Sequence, residues 1–395
     1  MTSTCPCCGG NYFRPVLRFE NIPPSGRLLQ SVQDRVDSID LAFEVCNDCN
    51  LLRQNPLARK PDYGGVNRST ARQVPRYAQA LLERLVTLGV AGGDLIVEVG
   101  SNDGSFLENL RSAEFSNVLG VEPSRELAQI TRDRGFRVEN AFFDHAFAER
   151  MILARGLPRA VICRHTLEHV SEPDAFVAAL HDCCDPDRGI LLLEVPDGSA
   201  IPELMNVYEL WDEHLYFFAA ENLNSLLVGQ GFAVTEMVVA PHLETRNLIA
   251  WCRPTGARLE RPLPSATLRT GCAAMWLSFP NRWTAYREGF AKALQAAPRP
   301  VYFIGAAHPQ SNFASYIGVG ACVDFMIDDD PEKVGRFVPL KGGVAAIIST
   351  RTFEASARTG TVVKSGFGYG QWMARICAHA AQTGMTVLDP RAFIT

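Results

Sequence analysis

Residues 95–104 read Leu95-Ile96-Val97-Glu98-Val99-Gly100-Ser101-Asn102-Asp103-Gly104, and a second apolar run ends at Val121-Glu122-Pro123. An apolar strand enters a glycine-containing turn, and the next strand closes on a carboxylate. In an open parallel sheet this arrangement sets a ribose diol beside the second carboxylate. The surrounding pattern agrees. Strands are expected at 95–99, 118–122, 160–164, 189–195 and 247–252, and helices at 104–112, 124–134, 173–183 and 221–230. That alternation specifies an α/β fold with a doubly wound sheet.

On either side the composition changes. Residues 1–58 are punctuated by cysteines and poor in helical periodicity. A helical lead-in over 59–93 carries Tyr77, Ala80, Leu81, Leu85 and Leu88, and is ended by Gly89 and Gly92-Gly93. Residues 255–299 are richer in Pro and Arg, with helical pieces at 268–276 and 283–294, and read as a connector. A second α/β unit over 300–395 starts at Val301-Tyr302-Phe303-Ile304-Gly305, continues through 323–327 and Asp328-Asp329-Asp330-Pro331, and ends in a helix near 370–383.

With 395 residues the chain is long enough for two or three domains with sizeable cores. A net charge of -5 argues against nucleic acid or an anionic membrane as partner, and no apolar run reaches the length of a membrane span. The opening Met-Thr-Ser-Thr-Cys-Pro-Cys-Cys is not a signal peptide, since it has no basic start and no apolar stretch. Twelve cysteines in that context point to thiols in a reducing cytoplasm.

Cys5-x-x-Cys8 and Cys46-x-x-Cys49 form two knuckles separated by 37 residues. Four thiolates suit tetrahedral Zn²⁺, which makes 1–58 a zinc-binding domain. A closed four-thiolate site leaves no position for substrate, so its expected role is structural. Cys7 competes with Cys8 as the fourth ligand, and the other seven cysteines are expected as buried thiols.

The glycine loop is Glu98-x-Gly100-x-x-x-Gly104, not GxGxxG, which counts against a nicotinamide-dependent dehydrogenase. Its spacing resembles the first motif of class I S-adenosylmethionine (SAM) methyltransferases. SAM has no pyrophosphate, so the loop (Gly100, Asn102, Gly104) would admit the amino-acid tail instead. Glu98 would face the ammonium group and Glu122 both ribose hydroxyls. Asn140-Ala141-Phe142-Phe143 falls where that fold contacts adenine, with Phe142 as the candidate and Phe143 as core. Cys163-Arg164-His165-Thr166-Leu167-Glu168-His169-Val170 resembles the motif after the fourth strand, adding Arg164 and His165 to the cofactor side.

Trp211-Asp212-Glu213-His214-Leu215-Tyr216-Phe217-Phe218 follows the strand expected to flank the reactive end of the cofactor. A Glu beside a His there suits proton abstraction. Taken in order, the two knuckles, 97–104, 120–124, Asp212-Glu213-His214, Phe303-Ile304-Gly305-Ala306-Ala307 and Asp328-x-x-Pro331-x-Lys333-x-Gly335 resemble the SAM-dependent C-methyltransferases of nucleotide-deoxysugar biosynthesis. The resemblance implies a zinc-binding domain at 1–58, a class I methyltransferase domain at 59–254, a helical connector at 255–299 and a C-terminal Rossmann-like substrate domain at 300–395. It implies a nucleotide-linked keto sugar as acceptor, His214 as base, Glu213 as its orienting partner and His169 near the sugar.

Three stretches depart from that family. Asp62-Tyr63-Gly64-Gly65-Val66-Asn67-Arg68-Ser69-Thr70 has one tyrosine where the family is tyrosine-rich. His242-Leu243-Glu244-Thr245-Arg246-Asn247 replaces a Gly-Gly-Ser-like segment, and His308-Pro309 stands where small residues and a lysine are usual. His242 and His308 are read as surface or structural. All three lie where substrate would bind, which leaves open another small-molecule acceptor in specialised metabolism, methylation on oxygen or nitrogen, and a SAM-holding scaffold without turnover. Monomer and dimer both remain open.

Overall fold

A computed structural model describes residues 4–55, 77–242, 245–257, 260–262, 266–365 and 370–394. The 62–70 stretch and Leu243-Glu244 lie outside the described residues, as does the lead-in before Tyr77.

Strands β1 (Phe13–Ile22), β2 (Ile39–Cys46) and β3 (Leu52–Gln54) form an antiparallel meander. The central region runs α1 (Ala78–Thr87), β4 (Ile96–Val99), α2 (Ser105–Ser112), β5 (Val118–Val121), α3 (Arg125–Asp133), β6 (Val138–Glu139), α4 (His145–Arg155), β7 (Ala160–Arg164), α5 (Pro173–Cys183), β8 (Ile190–Pro196), α6 (Ala200–Leu204), β9 (Tyr216–Phe217), α7 (Ala220–Gly229), β10 (Phe232–His242) and β11 (Thr245–Pro254). Then follow α8 (Ala266–Gln295), β12 (Val301–Ile304), α9 (His308–Ile317), β13 (Phe325–Ile327), β14 (Phe337–Leu340), β15 (Gly343–Ile348), α10 (Thr350–Ser356), β16 (Thr361–Val363), α11 (Gly370–Gln382) and β17 (Thr386–Leu388).

Seven strands lie in the order β10-β11-β8-β7-β4-β5-β6. The five from β8 to β6 are parallel, and the β10–β11 hairpin closes one edge antiparallel. β4 and β5 are buried throughout and apolar apart from Glu98, as strands covered on both faces must be. The chain fills one side of β4 with β5 and β6, then returns to the other side with β7 and β8. That reversal opens a crevice beyond the carboxyl ends of β4 and β7. The loops at 100–104 and 165–170 both fall there.

Expectation and structure differ at α4, β6, β10 and α8. α4 was missed because only Phe147, Ala148 and Met151 are buried and polar residues interrupt any stripe. β6 is only two residues long, and β10 is an edge strand with few buried positions. α8 was expected as two pieces, since Pro280 removes a main-chain donor. It is one helix because Trp276, Phe279, Trp283, Tyr286 and Phe290 make one buried face across the proline.

The meander gains a fourth strand, β9, from residues 216–217. Its core continues into α8 and the last sheet. Phe19 stacks on Tyr316 with centroids 4.0 Å apart, and Tyr208 stacks on Phe313 at 4.6 Å. Phe313 is fully buried and also touches Tyr286 and Phe290. Phe313→Ala should therefore cost about 3–5 kcal/mol of unfolding free energy, read as a lowered urea midpoint.

Candidate active site

At the mouth of β4 both loop glycines hold positive φ, +75° at Gly100 and +79° at Gly104. A Cβ on Gly100 would lie 2.1 Å from the Thr166 hydroxyl, and one on Gly104 would lie 2.9 Å from Thr131 Cγ2. The glycines are thus needed for the protein's own packing, a reason the sequence reading had assigned to the ligand. Asn102 is also left-handed (φ 51°), and its N–H donates to Glu122 Oε2 at 2.9 Å. Ser124 N–H donates to Oε1 at 2.8 Å. Glu122 is buried, with one donor on each oxygen, and each oxygen keeps acceptor capacity for a hydroxyl. Asn140 Nδ2 donates to the main-chain carbonyls of Glu122 and Pro123, both at 2.9 Å, which fixes the chain ahead of Phe142. Phe142 is 64% exposed and Phe143 is core.

Glu98 is buried on β4, and among the described residues its Oε2 accepts no hydrogen bond. Burial pushes its pKa up to about 8, against the pull of Arg164.

Arg164 and His165 turn toward Glu194, a fully buried carboxylate on β8. Arg164 Nε donates at 2.5 Å, His165 Nε2 lies at 3.1 Å, Asn247 Nδ2 donates at 2.8 Å, and the Tyr77 hydroxyl donates as well. Burial opposes the charge on Glu194, but Arg164 and His165 outweigh it and hold the pKa well below the carboxylate range. Burial likewise opposes His165, and Glu194 with Glu168 overrides it and lifts the pKa to about 10. His165 adopts φ 48°, a conformation that a non-glycine residue holds only when its surroundings enforce it.

Beyond the 165–170 loop, His169 and His214 meet with ring centroids 4.8 Å apart. His169 Nδ1 donates to the Glu213 carbonyl at 2.9 Å, and His214 Nδ1 donates to the Glu209 carbonyl at 3.1 Å. Main-chain carbonyls thus orient both rings, and Glu213 acts on His169 through its backbone. Trp211 packs against His214 and stacks on His308 with centroids 4.0 Å apart. Burial lowers the pKa of His169 and, reinforced by His169, His308 and His165, that of His214 well below normal. His308 is buried in this wall rather than on the surface, and burial takes its pKa down to about 3.

Sequence reasoning missed Glu168, Glu194, Glu209, Trp211, Tyr77 and Asn247. Glu168 and Trp211 stood inside quoted motifs. Asn247 closed the quoted 242–247 stretch and Tyr77 stood only in the helical lead-in, while nothing local marked Glu194 and Glu209.

The sulfurs of Cys5, Cys8, Cys46 and Cys49 lie within 4.8 Å of one another, with Cys5–Cys49 at 3.5 Å and Cys8–Cys46 at 3.6 Å. Cys8 rather than Cys7 completes the set. Cys163, Cys183, Cys184 and Cys252 are buried as expected, whereas Cys322 and Cys377 are only partly buried.

Residues 70–237 match the family model of a methyltransferase domain. This part of the chain has the α/β fold of the class I methyltransferases. The chain is also similar to the C-methyltransferase NovU of Streptomyces niveus, 27% identical over 262 residues, which are 65% of this chain and 62% of that protein. The match therefore spans less than two thirds of the relative. Among solved structures it is similar to the CcbJ methyltransferase of Streptomyces caelestis (12% identity, 50% of this chain and 93% of that one, TM-score 0.37). It is also similar to a SAM-dependent methyltransferase of Archaeoglobus fulgidus (14% identity, 47% and 96%, TM-score 0.39). Among the described residues no helix is long and apolar enough to cross a membrane.

The Glu98 environment has a consequence for stability. Its carboxyl is neutral in the folded chain up to about 8 but ionises near 4.5 when unfolded. Folding takes up a proton between those values, so stability falls as pH rises through that window. Glu98→Gln in the ligand-free chain should be more stable than the parent at pH 9, on the order of a few kcal/mol, with the difference shrinking toward pH 5. Urea denaturation at the two pH values measures it.

Proposed function

We propose that this chain is a SAM-dependent methyltransferase that transfers a methyl group to carbon on a small acceptor. The observation that carries the proposal is the placement of a buried imidazole, His214, and a half-buried one, His169, beside the ribose-type crevice of a methyltransferase fold. The crevice fits SAM. Glu122 keeps acceptor capacity for the ribose hydroxyls, and the Asn102 backbone runs past it between Gly100 and Gly104. The unpaired oxygen of Glu98 suits the ammonium group, and exposed Phe142 offers a face to adenine. Arg164 and His165, held by Glu194, shape the loop. When bound, SAM supplies an electrophilic methyl group.

The chain's own residues then have the following work. His214 is held neutral with Nδ1 donating, so Nε2 is left as a lone pair that accepts a proton from the carbon alpha to a ketone. His169, aimed by the Glu213 carbonyl, binds the acceptor oxygen. Trp211, His308 and Phe217 exclude water from this pair. The similarity to NovU supports carbon as the methylated atom, and we take a nucleotide-linked keto sugar as the acceptor class, with the C-terminal sheet and α9 as the wall holding it. His214→Ala should abolish methylation and leave SAM affinity within about twofold, while Glu122→Ala should weaken SAM binding at least tenfold. Calorimetry and product NMR check both, and an O-methyl or N-methyl product would overturn the carbon assignment.

The four cysteines are proposed to hold structural Zn²⁺. Tetrahedral zinc with Zn–S near ~2.3 Å sets sulfurs roughly 3.8 Å apart. The two pairs here, at 3.5 and 3.6 Å, nearly match that spacing. Cys49→Ser should lose one zinc per chain, counted by elemental analysis, and lower the melting temperature.

A further inference from the structure

We infer that Glu168, His169 and His214 form a second cation site, of two imidazoles and one carboxylate, that takes a divalent transition-metal ion. One donor atom from each lies within 4.8 Å of the others. Metal–ligand bonds of about 2.0–2.2 Å set donors roughly 3–4.4 Å apart, so only a small contraction separates this cluster from a loaded one.

Three further observations point to a cation. Each ring gives its Nδ1 hydrogen to a main-chain carbonyl, Glu213 at 2.9 Å and Glu209 at 3.1 Å, which leaves the Nε2 lone pair as the donor. Metal-binding histidines are oriented in this way. The rings cross at 70° with centroids 4.8 Å apart, a disposition in which both edges can address one ion, unlike a stack. Glu168 is only 2% exposed, its Oε1 is paired with the His165 imidazole, and among the described residues its Oε2 accepts no hydrogen bond. A buried carboxylate in that condition carries a desolvation cost that a bound cation removes. His165 Nδ1 lies 3.5 Å from Oε1 and leaves the second oxygen for the ion.

The donor set differs in kind from the four thiolates. Sulfur-only ligation closes a site around zinc, whereas imidazole and carboxylate accept zinc, cobalt, nickel or iron and leave open positions. The ion and a substrate proton would use the same lone pair of His214. If His214 is the base, as proposed above, ion loading suppresses turnover and chelation restores it. This consequence rests on that reading, while the site itself does not.

The full chain, stripped with a chelator and reloaded with Zn²⁺ or Co²⁺, tests the site. Ions per chain are counted by mass spectrometry, with circular dichroism confirming the fold of each variant. Glu168→Gln and His214→Ala should each bind one ion fewer than the parent. The cobalt form of Glu168→Gln should lose the weak bands of nitrogen and oxygen ligation and keep the thiolate charge-transfer bands. Equal ion counts in parent and both variants would overturn the site. Loss of one ion with turnover indifferent to its presence would support the site and remove His214 as the base.

Discussion

Gln54 reaches out of the N-terminal sheet and donates from Nε2 to the carbonyls of Trp211, at 2.8 Å, and His214, at 3.0 Å. Its own N–H donates to the Leu215 carbonyl at 2.9 Å. Beside it, β3 pairs with β9 through Leu52–Phe217 and Arg53–Tyr216. The segment that carries His214 is therefore part of the cysteine-bearing sheet as much as of the methyltransferase domain. Cys46 ends β2, Cys49 follows in the turn, and β3 begins three residues later. The four clustered sulfurs therefore sit beside the strand against which the segment carrying His214 registers. Buried polar groups at such a junction must be paired, and here backbone and side chain are both committed.

Carboxylates divide the work in the crevice. Glu194 is charged and saturated with donors, and it anchors the start of the 165–170 loop. Glu122 is half-saturated by backbone N–H groups and keeps lone pairs for a ligand. Glu98 and Glu168 are buried, and among the described residues the Oε2 of each lacks a donor. The four differ in how far their oxygens are satisfied, most at Glu194 and least at Glu98 and Glu168. That gradient is where ligand binding energy can be gained, because the ligand supplies the missing donor or cation.

Much of the central fold was legible because its strands are apolar runs bounded by glycine and its helices are amphipathic. Glu98, Gly100, Gly104 and Glu122 were legible because their spacing follows from strand, turn and helix length. The Glu194 network was not, since Tyr77, Arg164, His165, Glu194 and Asn247 come from four elements and meet only when the sheet is assembled. Glu168 was hidden for a related reason. Its sequence neighbours suggested a motif for the cofactor, while its carboxylate stands between His165 and the His169–His214 pair. At Pro280, local propensity predicted a break that a continuous aromatic face overrides.

Because β9 leaves the methyltransferase domain to complete another sheet, and Leu29 pairs with Phe337 across to the last one, the chain is threaded through its three units more than once. No single cut between sequence blocks separates them cleanly. Recombination among relatives would therefore exchange the C-terminal half successfully only if 201–217 travelled with its partners in 13–54 and 301–340. Such a protein diversifies by substitution at positions like His308, which packs on Trp211, more readily than by shuffling of whole modules.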